Sequence, residues 1–184
     1  PDPPAIRIAR FVPEGRTWTT ASTVVPGNTE AGTLFQRLGS DAAGHARLLL
    51  WTEADGGRTA LKALRLDAEG DTCEAVRTID LAVAGDAARA DLSVDPTGNA
   101  VAVWQQSESG RADDSSRSNI AFSRFDIASG RWQPAALAED QPGAAFDPRV
   151  SVRGGEVLLS WIQAEDGANR VKVSLQPLAG GPEP

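Results

Sequence analysis

The chain has 184 residues, 41% of them hydrophobic and 23% charged, with a formal net charge of −7 and a pI near 4.7. That length and balance suit one folded domain with a real core and argue against wholesale disorder. The acidity, with only Lys62 and Lys172 for lysines and with scattered arginines, argues against a nucleic-acid partner, which needs a concentrated basic surface.

In chain order, the first predicted strand is IRIARF from Ile6, followed by a turn at PEGR and a second extended stretch, TWTTASTV. A turn at Asp41–Gly44 leads into GHARLLLW, which ends at Trp51, and LKALRLD follows from Leu61. The turn DAEG and the stretch TCEAVRTI come next. DLSV (91–94), the turn DPTG (95–98) and GNAVAVW, ending at Trp104, then repeat the order. After an insert come IAFSRFD from Ile120, RWQPAAL, RVSV (149–152), the turn RGG, GEVLLSW ending at Trp161, and VKVSLQ from Val171. Each segment is short and rich in Val, Ile, Leu or Phe, and lies between Gly, Pro, Asp and Asn turns, the pattern of strands. GNAVAVW and GEVLLSW are nearly continuous apolar runs, as in strands covered on both faces, whereas IRIARF and IAFSRFD alternate, as in strands nearer solvent. No run of a dozen residues carries a helical stripe.

These elements repeat. The tryptophans lie 53 and 57 positions apart, and the strands starting at Ile6, Leu61, Ile120 and Val171 are spaced by 55, 59 and 51. A repeat of about 55 residues holding four short strands is the signature of a β-propeller blade. The expected fold is all-β, with four-stranded antiparallel blades. The expected units are 1–25 (the end of a blade), 26–84, 85–139 and 140–179 (the start of a blade), with 180–184 as a tail. With strands lettered A to D outward, the chain reads C-D, A-B-C-D, A-B-C-D, A-B-C. That is about three blades, so the chain is expected to be part of a larger propeller or to complete one with another chain, with a homo-oligomer or further blades as partners.

The turns carry a resemblance. Gly15-Arg16-Thr17-Trp18, Gly70-Asp71-Thr72-Cys73 and Gly130-Arg131-Trp132 resemble the second half of the Asp-box, Ser/Thr-x-Asp-x-Gly-x-Thr-Trp, of bacterial β-propellers with sialidase-like blades. They depart from it where Pro13 and Ala68 hold the box aspartate position, with Asp67 and Asp126 lying further upstream. The resemblance implies a bacterial, exported protein, periplasmic or extracellular. It also implies that sialidase chemistry, which uses a tyrosine nucleophile and an arginine cluster, cannot reside in this segment alone, because the chain has no tyrosine.

Absences narrow the chemistry. One cysteine, Cys73, rules out an internal disulfide and a thiolate zinc cluster, and one histidine, His45, rules out multi-histidine metal sites, so no metal and no cofactor are expected. Cys–His and Ser–His–Asp catalysis both depend on His45, which lies in a predicted turn, and no Gly-x-Ser-x-Gly elbow occurs. Cys73, aligned with Trp18 and Trp132, is expected to be a buried, inert thiol. The five tryptophans are expected to pack between sheets rather than stack on a ligand. Asp67, Glu69 and Asp71 alternate around a turn and read as a polar turn rather than a calcium loop. The longest apolar stretch, Val157–Ile162, is too short to span a membrane as a helix. Methionine is absent even at position 1 and no signal peptide is legible, so the chain is expected to be a processed product or a piece of a longer one, of unknown localisation.

Propellers bind ligands on the face where the B–C and D–A loops open. Two residues beyond each strand-B tryptophan stands a polar residue: Glu53, Gln106 and Gln163. The central B–C loop is also enlarged: Trp104 to Ile120 spans 16 positions, against 10 in each of the other repeats, and the insert carries Arg111, Asp113, Asp114 and Arg117. It reads either as a tolerated insertion or as a functional loop. These residues form the candidate contact surface, and no catalytic residue is assigned. The leading expectation is a non-catalytic binding or scaffold module for a protein or glycan ligand. The alternatives are a fragment of a carbohydrate-active enzyme whose catalytic residues lie in other blades, and a self-assembling repeat that closes a propeller in trans.

Overall fold

Strand pairing follows the tryptophans. The computed structural model describes residues 5–26, 35–44, 46–67, 69–81, 85–107, 118–139 and 141–178. The first unit comprises two two-stranded sheets, β1 (Ile6–Ile8) on β4 (Ser22–Val25) and β2 (Phe11–Val12) on β3 (Thr17–Trp18). The second has the order β5 (Phe35–Ser40), β6 (Arg47–Asp55), β7 (Arg58–Leu66), β8 (Arg77–Thr78). The third repeats it with β9 (Ala87–Val94), β10 (Ala100–Ser107) and β11 (Ser118–Asp126), and its outer strand is split into β12 (Arg131–Trp132) and β13 (Ala136–Leu137). The fourth comprises β14 (Ala145–Arg153), β15 (Glu156–Glu165) and β16 (Ala168–Pro177). All pairings are antiparallel, and among the described residues no helix is long and apolar enough to cross a membrane.

The register is the same in each full sheet. Trp51 lies opposite Lys62, Trp104 opposite Ala121 and Trp161 opposite Lys172. Leu61, Ile120 and Val171 therefore occupy one structural position, each opposite the residue after the tryptophan. Because side chains alternate across a strand, this common register aims each tryptophan the same way.

Every sheet turns its tryptophan side toward the sheet before it. Trp51, Leu49 and Leu64 pack with Ile6 and Val25 of the first sheet. Trp104, Ala102 and Ala121 pack with Leu50, Leu61 and Ala63, and Trp161, Leu159 and Val157 pack with Val101, Val103 and Ile120. The core is thus a series of dry seams between sheets, in which each fully buried large apolar side chain contributes about 1.5–3 kcal/mol. β10 lies between two such seams and is buried at every position. β15 is not: it alternates, with Val157, Leu159 and Trp161 buried and Leu158 exposed. The expectation that GEVLLSW is covered on both faces is therefore corrected, because among the described residues no sheet packs on its far side.

The A–B turns close the sheets at one end. The Asp41 carboxylate accepts from the Ala43 and Ala46 amides, and Asp95 Oδ1 accepts from the Thr97 and Asn99 amides and the Thr97 hydroxyl. Both turns end on a glycine in the left-handed region, Gly44 and Gly98. The turns that join β6 to β7 and β15 to β16 lie at the opposite end.

Candidate functional site

At that opposite end each tryptophan meets the polar residue two positions on, since residues i and i+2 share a face of a strand. The indole N–H of Trp51 donates to Glu53 Oε2 at 2.8 Å, that of Trp104 to Gln106 Oε1 at 3.0 Å, and that of Trp161 to Gln163 Oε1 at 3.0 Å. Gln163 Nε2 in turn donates to the carbonyls of Pro142 and Gly143, at 3.5 and 3.3 Å. Gln106 and Gln163 are buried, and Gln106 Nε2 has no partner, while Glu53 is half-buried. The structure thus places these three sequence-selected residues one per sheet and brings each against its own tryptophan. Arg111, Asp113, Asp114 and Arg117, like His45, lie outside the described residues.

The inner strands start hard against the ends of the second strands. The Ser107 amide bonds the Asp86 carbonyl at 2.9 Å, and the Ala164 amide bonds the Ala144 carbonyl at 2.8 Å. A Cβ on Gly85 would sit 1.8 Å from the Ser107 carbonyl oxygen, and one on Gly143 would sit 2.2 Å from that of Ala164. Only glycine fits at either place. The sequence carries a signal of this in Gly85-Asp86-Ala87 and Gly143-Ala144-Ala145, the same small-residue start in two repeats.

Two residues into each of these inner strands stands a charged residue in the left-handed region: Arg89 at φ 48° and Asp147 at φ 52°. Each marks an irregularity in its ladder, and their side chains pair across sheets, Arg89 Nη1 to Asp147 Oδ1 at 2.5 Å, with both part-exposed. Non-glycine residues held there carry strain, which is often found at working sites. Further along, Arg37 lies 3.8 Å from Asp91, Asp91 Oδ2 accepts the Val150 amide at 3.1 Å, and Ser93 Oγ accepts the Val152 amide at 3.0 Å. Side chains thus tie β5, β9 and β14 together. Residue spacing alone did not single out Arg89, Asp147 or Asp91.

Around the rim, carboxylates are occupied. Asp80, its side chain fully buried, binds the Arg58 guanidinium through both oxygens and accepts the Leu61 amide. Asp86 accepts the Thr59 amide, and Glu139 accepts the Ile120 and Gln141 amides. Lys62 bonds Asp55 at 2.5 Å, and Lys172 bonds Glu165 at 2.8 and 3.0 Å. The hydrogen bond from Lys62 holds the Asp55 carboxyl below its usual range, and that from Lys172 does the same for Glu165. Asp80, in its turn, holds Arg58 more firmly protonated.

Two expectations are corrected here. Cys73 is exposed, although residual desolvation and the nearby Asp67 push its thiol pKa up, away from a reactive thiolate. Trp18 is 66% exposed and stands outside the seams, whereas Trp132, half-buried, packs against the seam residues around Leu50 and Trp104 and those around Leu48 and Phe125. Asp67 Oδ1 accepts the Glu69 and Asp71 amides, a turn-forming use, and among the described residues no group of three or more Asp, Glu, His or Cys is placed to hold a metal ion. Between β8 and β12 lies an open cleft of about 500 Å³, lined by Arg77, Asp80, Arg131, Trp132 and Gln133 among others.

No family model matches the chain, and no curated protein matches its sequence. Solved structures do. The Hadza microbial sialidase Hz136 superposes with a TM-score of 0.56 at 13% identity, over 85% of this chain and 42% of the sialidase. The GH43 endo-arabinanase from Bacillus licheniformis superposes with a TM-score of 0.50 at 15% identity, over 92% of this chain and 63% of the arabinanase. The chain therefore spans less than two thirds of either. At such identities the likeness is one of fold: the chain is an all-β array of propeller-type blades.

Proposed function

We propose that the chain is a non-catalytic binding or scaffold module of an exported bacterial propeller protein, taking a protein or glycan ligand on the face where the B–C loops and the inner-strand starts meet. One observation carries this reading: among the described residues, six carboxylates toward that face are held by the chain's own groups. Glu53 is held by an indole, Asp80 by Arg58, Asp86 and Glu139 by backbone amides, Asp147 by Arg89 and Glu165 by Lys172. Hydrolysis of a glycosidic bond generally needs one carboxyl kept protonated by a raised pKa, whereas Asp55 and Glu165 are shifted down. Ligand contact is assigned to the half-buried Glu53, to the part-exposed Arg89–Asp147 pair and to Arg111, Asp113, Asp114 and Arg117 of the enlarged loop. Gln106 and Gln163, buried against their tryptophans, support the face from beneath. Export and descent from Asp-box blades rest on the turn resemblance alone.

A glycan array run beside hydrolysis assays on a sialoside and on arabinan tests the proposal. The expected result is saturable binding without turnover, weakened at least about tenfold, or about 1.4 kcal/mol, by Arg89→Ala with Asp147→Ala or by trimming residues 108–117 to a short turn. Turnover of either substrate by this chain would overturn it. A second reading, a portion of a carbohydrate-active enzyme whose catalytic residues lie in other blades, draws on the likeness to the sialidase and the arabinanase. It predicts turnover by a longer protein containing this chain and none by the chain itself.

A further inference from the structure

Between the sheets β5–β8 and β9–β13 lies the cleft of about 500 Å³, whose lining includes Arg77, Thr78, Arg131, Trp132, Gln133 and Pro134. Its size falls within the roughly 300–1,000 Å³ of small-ligand pockets. Each wall belongs to a sheet that runs from inner to outer strand, so the cleft is formed wholly within the chain. Trp132 is fixed in one wall. Its indole packs on the seam around Leu50 and Trp104 and leans on Phe125, with ring centroids 5.4 Å apart at 54°. Being half-buried, it keeps part of its surface for the cleft.

The charge of the cleft is one-sided. Arg77 and Arg131 are exposed, and neither guanidinium makes an ion pair or a hydrogen bond with any described residue. Arg65, on β7, brings Nη1 within 3.7 Å of the place that a side chain on Gly130 would take in the lining, and its Nε is buried without a partner. The one carboxylate among the lining residues belongs to Asp80, whose side chain is fully buried and occupied by Arg58 and the Leu61 amide. In a chain of net charge −7, these guanidiniums therefore stand without a counter-ion of the chain's own. A guanidinium is a planar fork that takes a carboxylate through two parallel hydrogen bonds, and an indole offers a flat apolar surface. Beside them the Thr78 hydroxyl and the Gln133 amide supply hydrogen bonds. Together these groups suit a ring with C–H faces, hydroxyls at its rim and an acid group.

We propose that this cleft binds an acidic saccharide, a uronic-acid residue whose carboxylate is taken by Arg77 and Arg131 and whose ring lies against Trp132. A bare inorganic anion would use the arginines and leave Trp132, Pro134 and Gln133 without a role. A neutral sugar would leave the guanidiniums without one. The cleft is separate from the loop face, because outer strands build it whereas Arg89 and Asp147 stand on the inner strands β9 and β14. The proposal is therefore independent of whether the loop face binds a ligand.

Titration calorimetry at low ionic strength tests it with oligomers of galacturonate, glucuronate and mannuronate, their methyl esters, and a glutamate oligomer of matched charge. The variants are Arg77→Gln with Arg131→Gln, and Arg89→Ala with Asp147→Ala. Arg77 and Arg131 are exposed and unpaired, so their double variant is expected to keep the far-UV spectrum and thermal midpoint of the parent. The expected result is saturable binding of at least one uronate oligomer, weakened by added salt. Esterification, replacement by the glutamate oligomer, and the Arg77 and Arg131 substitutions should each weaken it at least about tenfold. The Arg89 and Asp147 substitutions should leave it unchanged. Absence of binding by all three uronates would overturn the proposal, as would equal binding of the esters or of the glutamate oligomer. So would binding that survives loss of Arg77 and Arg131, or that is lost with Arg89 and Asp147, which would place the saccharide on the loop face instead.

Discussion

Trp161, Gln163 and Gly143 show how a polar group is spent inside this protein. The Gln163 carboxamide oxygen accepts a hydrogen bond from the indole N–H, and its amide nitrogen donates to two carbonyls. Gln106 accepts from the Trp104 indole N–H in the same way but leaves its nitrogen unbonded at 3% exposure. An unpaired buried donor costs about 1–3 kcal/mol. Gln163→Leu, which breaks a satisfied set, should therefore lower stability by about 2 kcal/mol, whereas Gln106→Leu removes one orphan as it creates another and should cost about 1 kcal/mol less. Urea unfolding of the two variants checks this, and equal or reversed losses would contradict it. The presence of a polar residue two beyond each tryptophan was legible, because the repeat displays it three times. Its partner was also within reach, since a strand puts positions i and i+2 on one face. What spacing did not show was that a neighbouring strand seals Gln106 and Gln163 from solvent.

Among elements, the inner strands are the ones whose starts are most constrained. Gly143 combines φ of 101° with a backbone oxygen 2.2 Å from any added Cβ, whereas Gly154, at φ 62°, has open space around it. Gly143→Ala should cost about 3 kcal/mol or more, from strain and forced displacement together, and Gly154→Ala about 1 kcal/mol, from the left-handed backbone alone. Thermal unfolding of the two variants measures the contrast. As sequence, both glycines look like ordinary turn residues. The difference arises because β14 begins against the end of β15, which brings the Gly143 and Ala164 backbones together across 21 residues of chain. The same strand pair shows why GEVLLSW is covered on one face only. Its apolar run is real, but coverage of both faces depends on a following sheet that the run does not encode.

For the whole molecule, stability should be graded along the array. β10 lies between two seams, whereas β1–β4 are short strands with one covered side. Native-state amide exchange should be slowest in β10 and β11 and fastest in β1–β4, with β6 and β7 between them. Uniform protection along the array would show that it unfolds as one unit and would refute the gradient. The sequence by itself determined the repeat, the strand order within it and the register marker, because turn residues and apolar runs are local signals and they recur. Tertiary structure alone decided which side of each strand is dry, that Gln106 and Gln163 serve tryptophans, and that Arg89 reaches Asp147. Each of these depends on one sheet meeting another, and a strand's own residues record its alternation but not the neighbour that it faces.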